Sequence, residues 1–258
     1  MEHYEAIIIG TGEIGRPLYE LLNGSYNTLP VDMIHYPGNT KLSATCDWLH
    51  ICIPGEVKDF NSVIVDLVIK YKPVVTMIHS TVVPGTTEAI NKQLLDEGNR
   101  TPVIFTPVHG KHQNNQMKKD MLYYPKYVGL YGKIDKEMVC AHLEKIGFAD
   151  IRFMTSTTAA EWSKLLSTTV FGLQVAFAQE VERVCDKFEL DYNEVTDFFP
   201  IQADVRGAMY PGFIGGHCVM PNIKIIKQLH ESELLDWVEW SNETKKDRDD
   251  VEIDKRER

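Results

Sequence analysis

The spacing of apolar positions changes character along the chain. A short apolar run, Ala6 to Ile9, passes through glycines into Ile14, Leu18, Leu21 and Leu22 on one helical face, which predicts strand, tight turn and helix. A second extended run is expected from Val31 to His35, closed by the turn signal Tyr36-Pro37-Gly38. "DWLHICIPG" then reads as a buried strand, "VKDFNSVIVDLVIKY" as a helix, and "KPVVTMIHSTVVPGTT" as a strand ending in a polar loop. "TPVIFTPVHG" and "KYVGLYG" read as further strands, 136–146 as a helix and "IRFMTS" as the last strand. Alternation of this kind predicts an α/β class, here an N-terminal doubly wound parallel sheet of the Rossmann type over 1–156.

From Thr158 the pattern is helical and free of proline for about 32 residues, far beyond a usual helix of about 11 or 12. A short helix in "DYNEVTDFF", a loop over 201–222 and two more helical runs reaching Trp240 follow. The expected second domain, 157–240, is therefore all-helical and built on one long helix, with a charged tail over 241–258.

Charge and cysteine usage narrow the function. A net charge of -10 argues against a nucleic-acid binder, which would need basic patches to displace counterions from phosphates. Five cysteines (46, 52, 140, 185 and 218) form an odd set without a CxxC pair, as expected of reduced thiols in a cytoplasmic protein. No apolar run reaches the roughly 20 residues that span a bilayer, so a soluble protein without membrane association is expected.

Gly10-Thr11-Gly12-Glu13-Ile14-Gly15 matches G-x-G-x-x-G between a strand and a helix, the context that seats a pyrophosphate on a helix N-terminus. Glu13 fits beside phosphates only if its side chain points to solvent. An acid after the second strand would read the ribose of NAD, and Asp32 is the candidate. His35, taken as the strand's last residue, would lie on the opposite face, which leaves NADP open beside NAD.

The other concentration of chemistry is "PGFIGGHCVMPN" at 211–222, which sets Cys218 in a glycine-rich loop where a ligand can touch the main chain. Together with "HSTVVPGTTEAI" and "EWSKLLSTTVFGLQVAFAQEVERVC", in this order after the glycine turn, it resembles the UDP-glucose/GDP-mannose dehydrogenase family. Ser80 to Thr87 follow that family's S-T-V-x-P-G-T-T, and Gly215-Gly216-His217-Cys218 its G-G-x-C. The resemblance implies NAD-dependent oxidation of a sugar alcohol to an acid, with Cys218 forming a thiohemiacetal and then a thioester. It implies Lys164 as base or oxyanion stabiliser, with Thr81, Thr168 and Asn222 at the remaining catalytic positions. Pro54, Ser80 and Thr81 join the cofactor set, and Glu161, Arg206, Gly215, Gly216 and His217 the substrate set. It further implies a homodimer through the long helix, by Val170, Phe171 and Phe177.

Three positions depart from the family pattern. Val108 stands where the family has glutamate, Thr168 where it has asparagine, and Asn222 where it has aspartate, so hydrolysis of the thioester is the step these changes touch. The family also continues into a further domain that holds the substrate nucleotide, so a smaller alcohol or a second chain would complete the site. A hydroxyacid-type dehydrogenase using Lys164 without the thiol, and a degenerate dinucleotide-binding module, remain alternatives. "HGKH" at 109–112 is a weak metal candidate, without carboxylate or cysteine beside it.

Overall fold

The computed structural model describes residues 1–110, 116–197, 211–229 and 231–246. Arg206, His112 and the tail from 247 lie outside these. The chain divides into two compact units, Met1–Lys164 and Leu165–Arg258.

In the first unit, seven strands form one sheet in the order β2-β1-β3-β4-β5-β6-β7. They are β1 (Glu2–Ile9), β2 (Thr28–Val31), β3 (Ala44–Ile51), β4 (Val75–Ile78), β5 (Val103–Phe105), β6 (Lys126–Gly129) and β7 (Ile151–Met154). The first five run parallel, whereas β6 is antiparallel to β5 and parallel to β7, so the sheet is mixed at one side.

Both faces are covered, and the strands therefore read as apolar runs rather than alternations. On one face Ile7, Leu49 and Ile78 pack with Ile64 and Val68 of α2 (Phe60–Tyr71) and Ile90 and Leu94 of α3 (Thr86–Asp96). On the other, Ala6, Ile8 and Met77 pack with Leu18 and Leu22 of α1 (Gly15–Asn23), Met117 and Met121 of α4 (Gln116–Tyr123), and Val139 and Leu143 of α5 (Lys136–Lys145).

Four features differ from the sequence reading. The second strand ends at Val31, not His35, and begins with Thr28. It includes Pro30, which is tolerated because β2 is the edge of the sheet, where one row of N–H groups has no ladder partner. Helices α3 and α4 occupy stretches that the pattern reading left as loop. The domain boundary falls inside the long helix α6 (Thr157–Phe188) rather than before it. Ala160 belongs to the sheet's core and Glu161 binds the loop before α3, so the first turns of α6 count with the sheet. Last, the final helix continues past Trp240 to Lys246, into the first residues assigned to the charged tail.

The second unit contains the rest of α6, then α7 (Tyr192–Thr196), α8 (Val219–Lys227) and α9 (Glu233–Lys246). Gly172 of α6 is the tight point: a Cβ there would stand 2.4 Å from Cγ1 of Val219, so only glycine lets α8 approach this closely. Val170 and Phe177 are exposed, and with Leu166, Val184 and Phe188 they form an apolar stripe along α6, while Phe171 is half-buried.

Candidate functional site

The site in the sheet unit lies where the strand order reverses. The chain leaves β1 toward β2 on one side and returns to β3 on the other, so a crevice opens at the carboxyl ends of β1 and β3, the usual ligand position in such sheets. Gly10 and Gly15 close the turn beneath it. Gly10 has φ +86° and a Cβ there would meet the Cys52 carbonyl at 2.9 Å, while a Cβ on Gly15 would fall 1.9 Å from the Gly10 carbonyl. Gly12 differs: nothing lies within 4 Å of its missing Cβ, and the residue is exposed. The first two glycines are needed for packing, and Gly12 presents open backbone. Ile14 occupies the cap position of α1 without a side-chain cap, whereas Asp135 caps α5 and Asp191 caps α7. Glu13, expected to turn its side chain to solvent, is exposed.

The shortened β2 puts Asp32 immediately beyond the strand end and removes the objection raised by His35. Asp32 Oδ2 accepts the Thr11 N–H at 2.7 Å, and Oδ1 accepts those of Ile34 at 2.8 Å and His35 at 2.9 Å. The turn folds His35 back, so its Nδ1 lies 3.2 Å from Thr11 Oγ1, and both residues face the glycine turn. Burial raises the Asp32 pKa, but the N–H groups of His35, Thr11 and Ile34 outweigh it and hold the carboxyl well below its usual range. An ionised carboxylate at this point suits a ribose hydroxyl.

The next two strand ends are tied together. Ser80 Oγ donates to the Ile53 carbonyl beside the exposed Pro54, and a Cβ on Gly55 would lie 2.1 Å from the Thr81 carbonyl. Glu161, expected with the substrate, directs its carboxylate to the signature loop: Oε2 accepts Gly85 N–H at 2.6 Å, and Oε1 accepts Thr87 N–H at 2.9 Å and Thr87 Oγ1–H at 2.6 Å. It therefore holds P-G-T-T at the start of α3. Burial raises its pKa, against these hydrogen bonds. Lys164, half-buried on α6, is close enough to Lys126 for its charge to disfavour an ammonium there. Val108, expected where the family has glutamate, is buried core.

In the helical unit Cys218 is the residue immediately before α8 and is partly exposed, with His217 exposed beside it. Gly215 is exposed and Gly216 half-buried. The loop is held from two helices. Gln179 Nε2 of α6 donates to the Gly212 carbonyl at 2.5 Å, and Asn242 of α9 accepts Ile214 N–H at 2.7 Å while donating to the Ile214 carbonyl at 3.2 Å. Ser241 Oγ in turn donates to Gln179 Oε1 at 2.8 Å. Thr168 and Asn222, separate in sequence, are joined directly: Asn222 Nδ2 donates to Thr168 Oγ1. Two of the three positions expected to depart from the family pattern thus form one hydrogen-bonded pair. Sequence reasoning missed Gln179, Asn242 and Gly172; the only signal was a glycine in the middle of a long helix.

A strand, a glycine turn and a helix at a switch point, with an acid after the second strand, define the Rossmann class of fold. Residues 158–244 match the model of the UDP-glucose/GDP-mannose dehydrogenase family, central domain. It is 29% identical to YtcA of Bacillus subtilis over 151 residues, 55% of this chain and 34% of that protein. It is 28% identical to the UDP-N-acetyl-D-mannosamine dehydrogenase of Pyrococcus horikoshii over 148 residues, 55% of this chain and 35% of that protein. These matched segments span about a third of the curated relatives' length. The fold is similar to the solved UDP-D-ManNAc dehydrogenase of Pyrococcus horikoshii, with a TM-score of 0.74 at 18% identity, over 93% of this chain and 68% of that one. It is also similar to the 3-hydroxyisobutyrate dehydrogenase of Mycobacterium tuberculosis, with a TM-score of 0.69 at 14% identity, over 97% of this chain and 96% of that one. Among the described residues no helix is long and apolar enough to cross a membrane.

Proposed function

We propose that this chain oxidises the CH–OH group of a sugar-type alcohol with NAD. The observation that carries the reading is the crevice at the carboxyl ends of β1 and β3, where open Gly12, the uncapped start of α1 and the ionised Asp32 converge on one cofactor-sized chemistry. These residues fit a dinucleotide: the helix start suits its pyrophosphate and Asp32 its ribose hydroxyls, which favours NAD over NADP because a 2'-phosphate would meet a carboxylate. Bound there, the nicotinamide supplies a hydride acceptor. With it bound, Lys164 would take the proton of the alcohol hydroxyl, Thr81 would orient the reacting group, the Cys218 thiolate would add to the resulting carbonyl, and a second NAD would accept the hydride that turns this thiohemiacetal into the thioester. Val108 and Asn222 lack the carboxylates, and Thr168 the amide, expected at these positions, so release of the acid from the thioester is slow.

The relatives named as acting on UDP-sugars make such compounds the first to test. Purified protein is incubated with NAD and UDP-glucose, UDP-N-acetylmannosamine or 3-hydroxyisobutyrate, and NADH formation and acid product are followed. The expected result is NADH with a nucleotide sugar, and loss of acid but not of all hydride transfer in Cys218→Ser. Turnover of 3-hydroxyisobutyrate with no effect of Cys218→Ser would establish the hydroxyacid reading instead. That second reading is favoured by the near-complete mutual coverage with the solved hydroxyisobutyrate dehydrogenase. Dinucleotide binding without turnover of any alcohol would leave only a binding module. The exposed stripe with Val170 and Phe177 supports a homodimer, and the unbroken absence of a CxxC pair supports reduced thiols in the cytoplasm.

A further inference from the structure

The face of the sheet covered by α1 and α5 contains a chain of polar side chains that the proposed oxidation does not use. Tyr26 OH lies 2.9 Å from His142 Nδ1, His142 Nε2 lies 3.2 Å from His50 Nε2, and His50 Nδ1 lies 2.9 Å from His79 Nε2. His79 Nδ1 is 2.9 Å from the Thr106 carbonyl and 3.4 Å from Lys126 Nζ. The three imidazoles are 0%, 1% and 2% exposed at positions 50, 79 and 142, and Lys126 is 3% exposed, while Tyr26 reaches partial exposure. Trp48 stacks on the His142 ring at 3.8 Å and Lys145 Nζ sits 3.8 Å over the Tyr26 ring, so the chain is walled along its length.

Hydrogen-bond accounting permits this chain two directions. If His79 Nδ1–H donates to the Thr106 carbonyl, His79 Nε2 must accept from His50 Nδ1–H. Then His50 Nε2 accepts from His142 Nε2–H, and His142 Nδ1 accepts from the Tyr26 hydroxyl. Each ring is neutral and satisfied at both nitrogens. In the reverse direction Lys126 donates to His79 Nδ1, and the rings carry their hydrogens on Nε2 of His79, Nε2 of His50 and Nδ1 of His142, ending on Tyr26 oxygen. The second direction suits a charged Lys126, whose three N–H groups then match three acceptors: the carbonyls of Thr106 at 2.9 Å and Pro107 at 3.0 Å, and His79 Nδ1.

We propose that Tyr26, His142, His50 and His79 form a proton wire to Lys126, and that its two directions are the neutral and the charged states of that amine. Passage of one proton conserves every bond count. Water protonates the Tyr26 oxygen as its hydrogen moves to His142 Nδ1. Each ring then gives the hydrogen on its other nitrogen to the next, and His79 Nδ1–H passes to the Lys126 amine. The groups around Lys126 allow both states. Burial is the main influence and lowers its pKa to about 7; Cys52 favours the ammonium and Lys164 opposes it, with the Phe148 ring 5.1 Å away and His109 and Tyr124 lining the same small pocket. Burial together with Lys126 also keeps His50 neutral, and burial does so for His79 and His142, with Lys145 adding to it at His142. Glu5 and Asp47 act on Tyr26 in addition to its burial. If Lys164 is the base proposed above, the wire sets the charge that Lys164 feels; the wire itself does not depend on that reading.

The test is nitrogen NMR of the full chain labelled with 15N-histidine, from pH 5.5 to 9. The expected result is a concerted switch of the protonated nitrogen at positions 50, 79 and 142 as Lys126 titrates, with no imidazolium at any of them, and a fixed tautomer set in Lys126→Met. Tautomers that stay fixed across this range in the wild-type protein, or a cationic ring at any of the three positions, would overturn the wire, whether or not Lys126→Met folds. Switching tautomers in a protein without turnover would leave the wire standing and remove the oxidoreductase reading alone.

Discussion

The two glycine-bearing loops of this protein, 10–15 in the sheet unit and 211–218 in the helical unit, are built by different means. The first is shaped mainly by exclusion: Gly10 and Gly15 are pressed on main chain, and the Asp32 carboxylate adds one bond to the Thr11 N–H. The second is suspended from side-chain amides, Gln179 and Asn242, that lie 33 and 28 residues away in sequence from the groups they bind. A loop fixed by steric contact tolerates no added atom at its packed positions but survives loss of distant polar groups. A loop fixed by hydrogen bonds has the opposite sensitivity.

The largest expected effect comes from Gly15→Val. Its Cβ would overlap the Gly10 carbonyl, so the sheet unit should fail to fold, and circular dichroism melting would show no cooperative transition. A soluble variant with a wild-type melt would refute the exclusion account. Acid separates the two units next. Among the described residues the buried histidines all lie in the sheet unit, where burial pushes His50 down to about 3 and holds His79 and His142 well below their ordinary value. Once unfolded they protonate near pH 6.5, so as pH falls from 6.5 toward 3 the unfolded state binds more protons and stability is lost, at about 1.4 kcal/mol per pH unit for each ring. Hydrogen exchange at pH 7 and pH 4.5 should show the sheet unit opening first; equal loss in both units would contradict this.

Asn242→Ala should cost about 1–3 kcal/mol, because it leaves the buried Ile214 N–H without its acceptor, and it should change the alkylation rate of Cys218 while leaving dinucleotide affinity unchanged. Urea denaturation and peptide mapping check both parts. The smallest effect on stability is expected from Gly12→Ala, whose Cβ meets open space. The same change should weaken NAD binding about tenfold, roughly 1.4 kcal/mol, by obstructing close approach of the pyrophosphate. Unaltered affinity would mean that Gly12 does not face the cofactor.

This contrast also explains what could be read from the sequence. The opening strand, turn and helix were legible because their determinants are consecutive residues, and α6 because its period runs unbroken through 157–188. Helix α3 was not, since it starts in "PGTT" and exposes Leu95, with only Ile90 and Leu94 as a buried apolar pair. Strand β2 was misplaced because "TLPV" contains a proline that only an edge position permits. Thr168 and Asn222 were named through family resemblance, yet nothing local foretold their hydrogen bond. The imidazole chain was invisible for the same reason: positions 26, 50, 79 and 142 meet only once the sheet exists.

Glu161 has a consequence for how motion is distributed. Its carboxylate joins the main chain of Gly85 and Thr87 to the second turn of α6, so this signature loop is bound to the start of a helix rather than free at the sheet's rim. The loop after β4 and the first turns of α6 therefore belong to one cooperative folding unit, and local opening of either must open the other. Loops that carry chemistry are commonly among the first segments to fray. This one inherits the persistence of a helix.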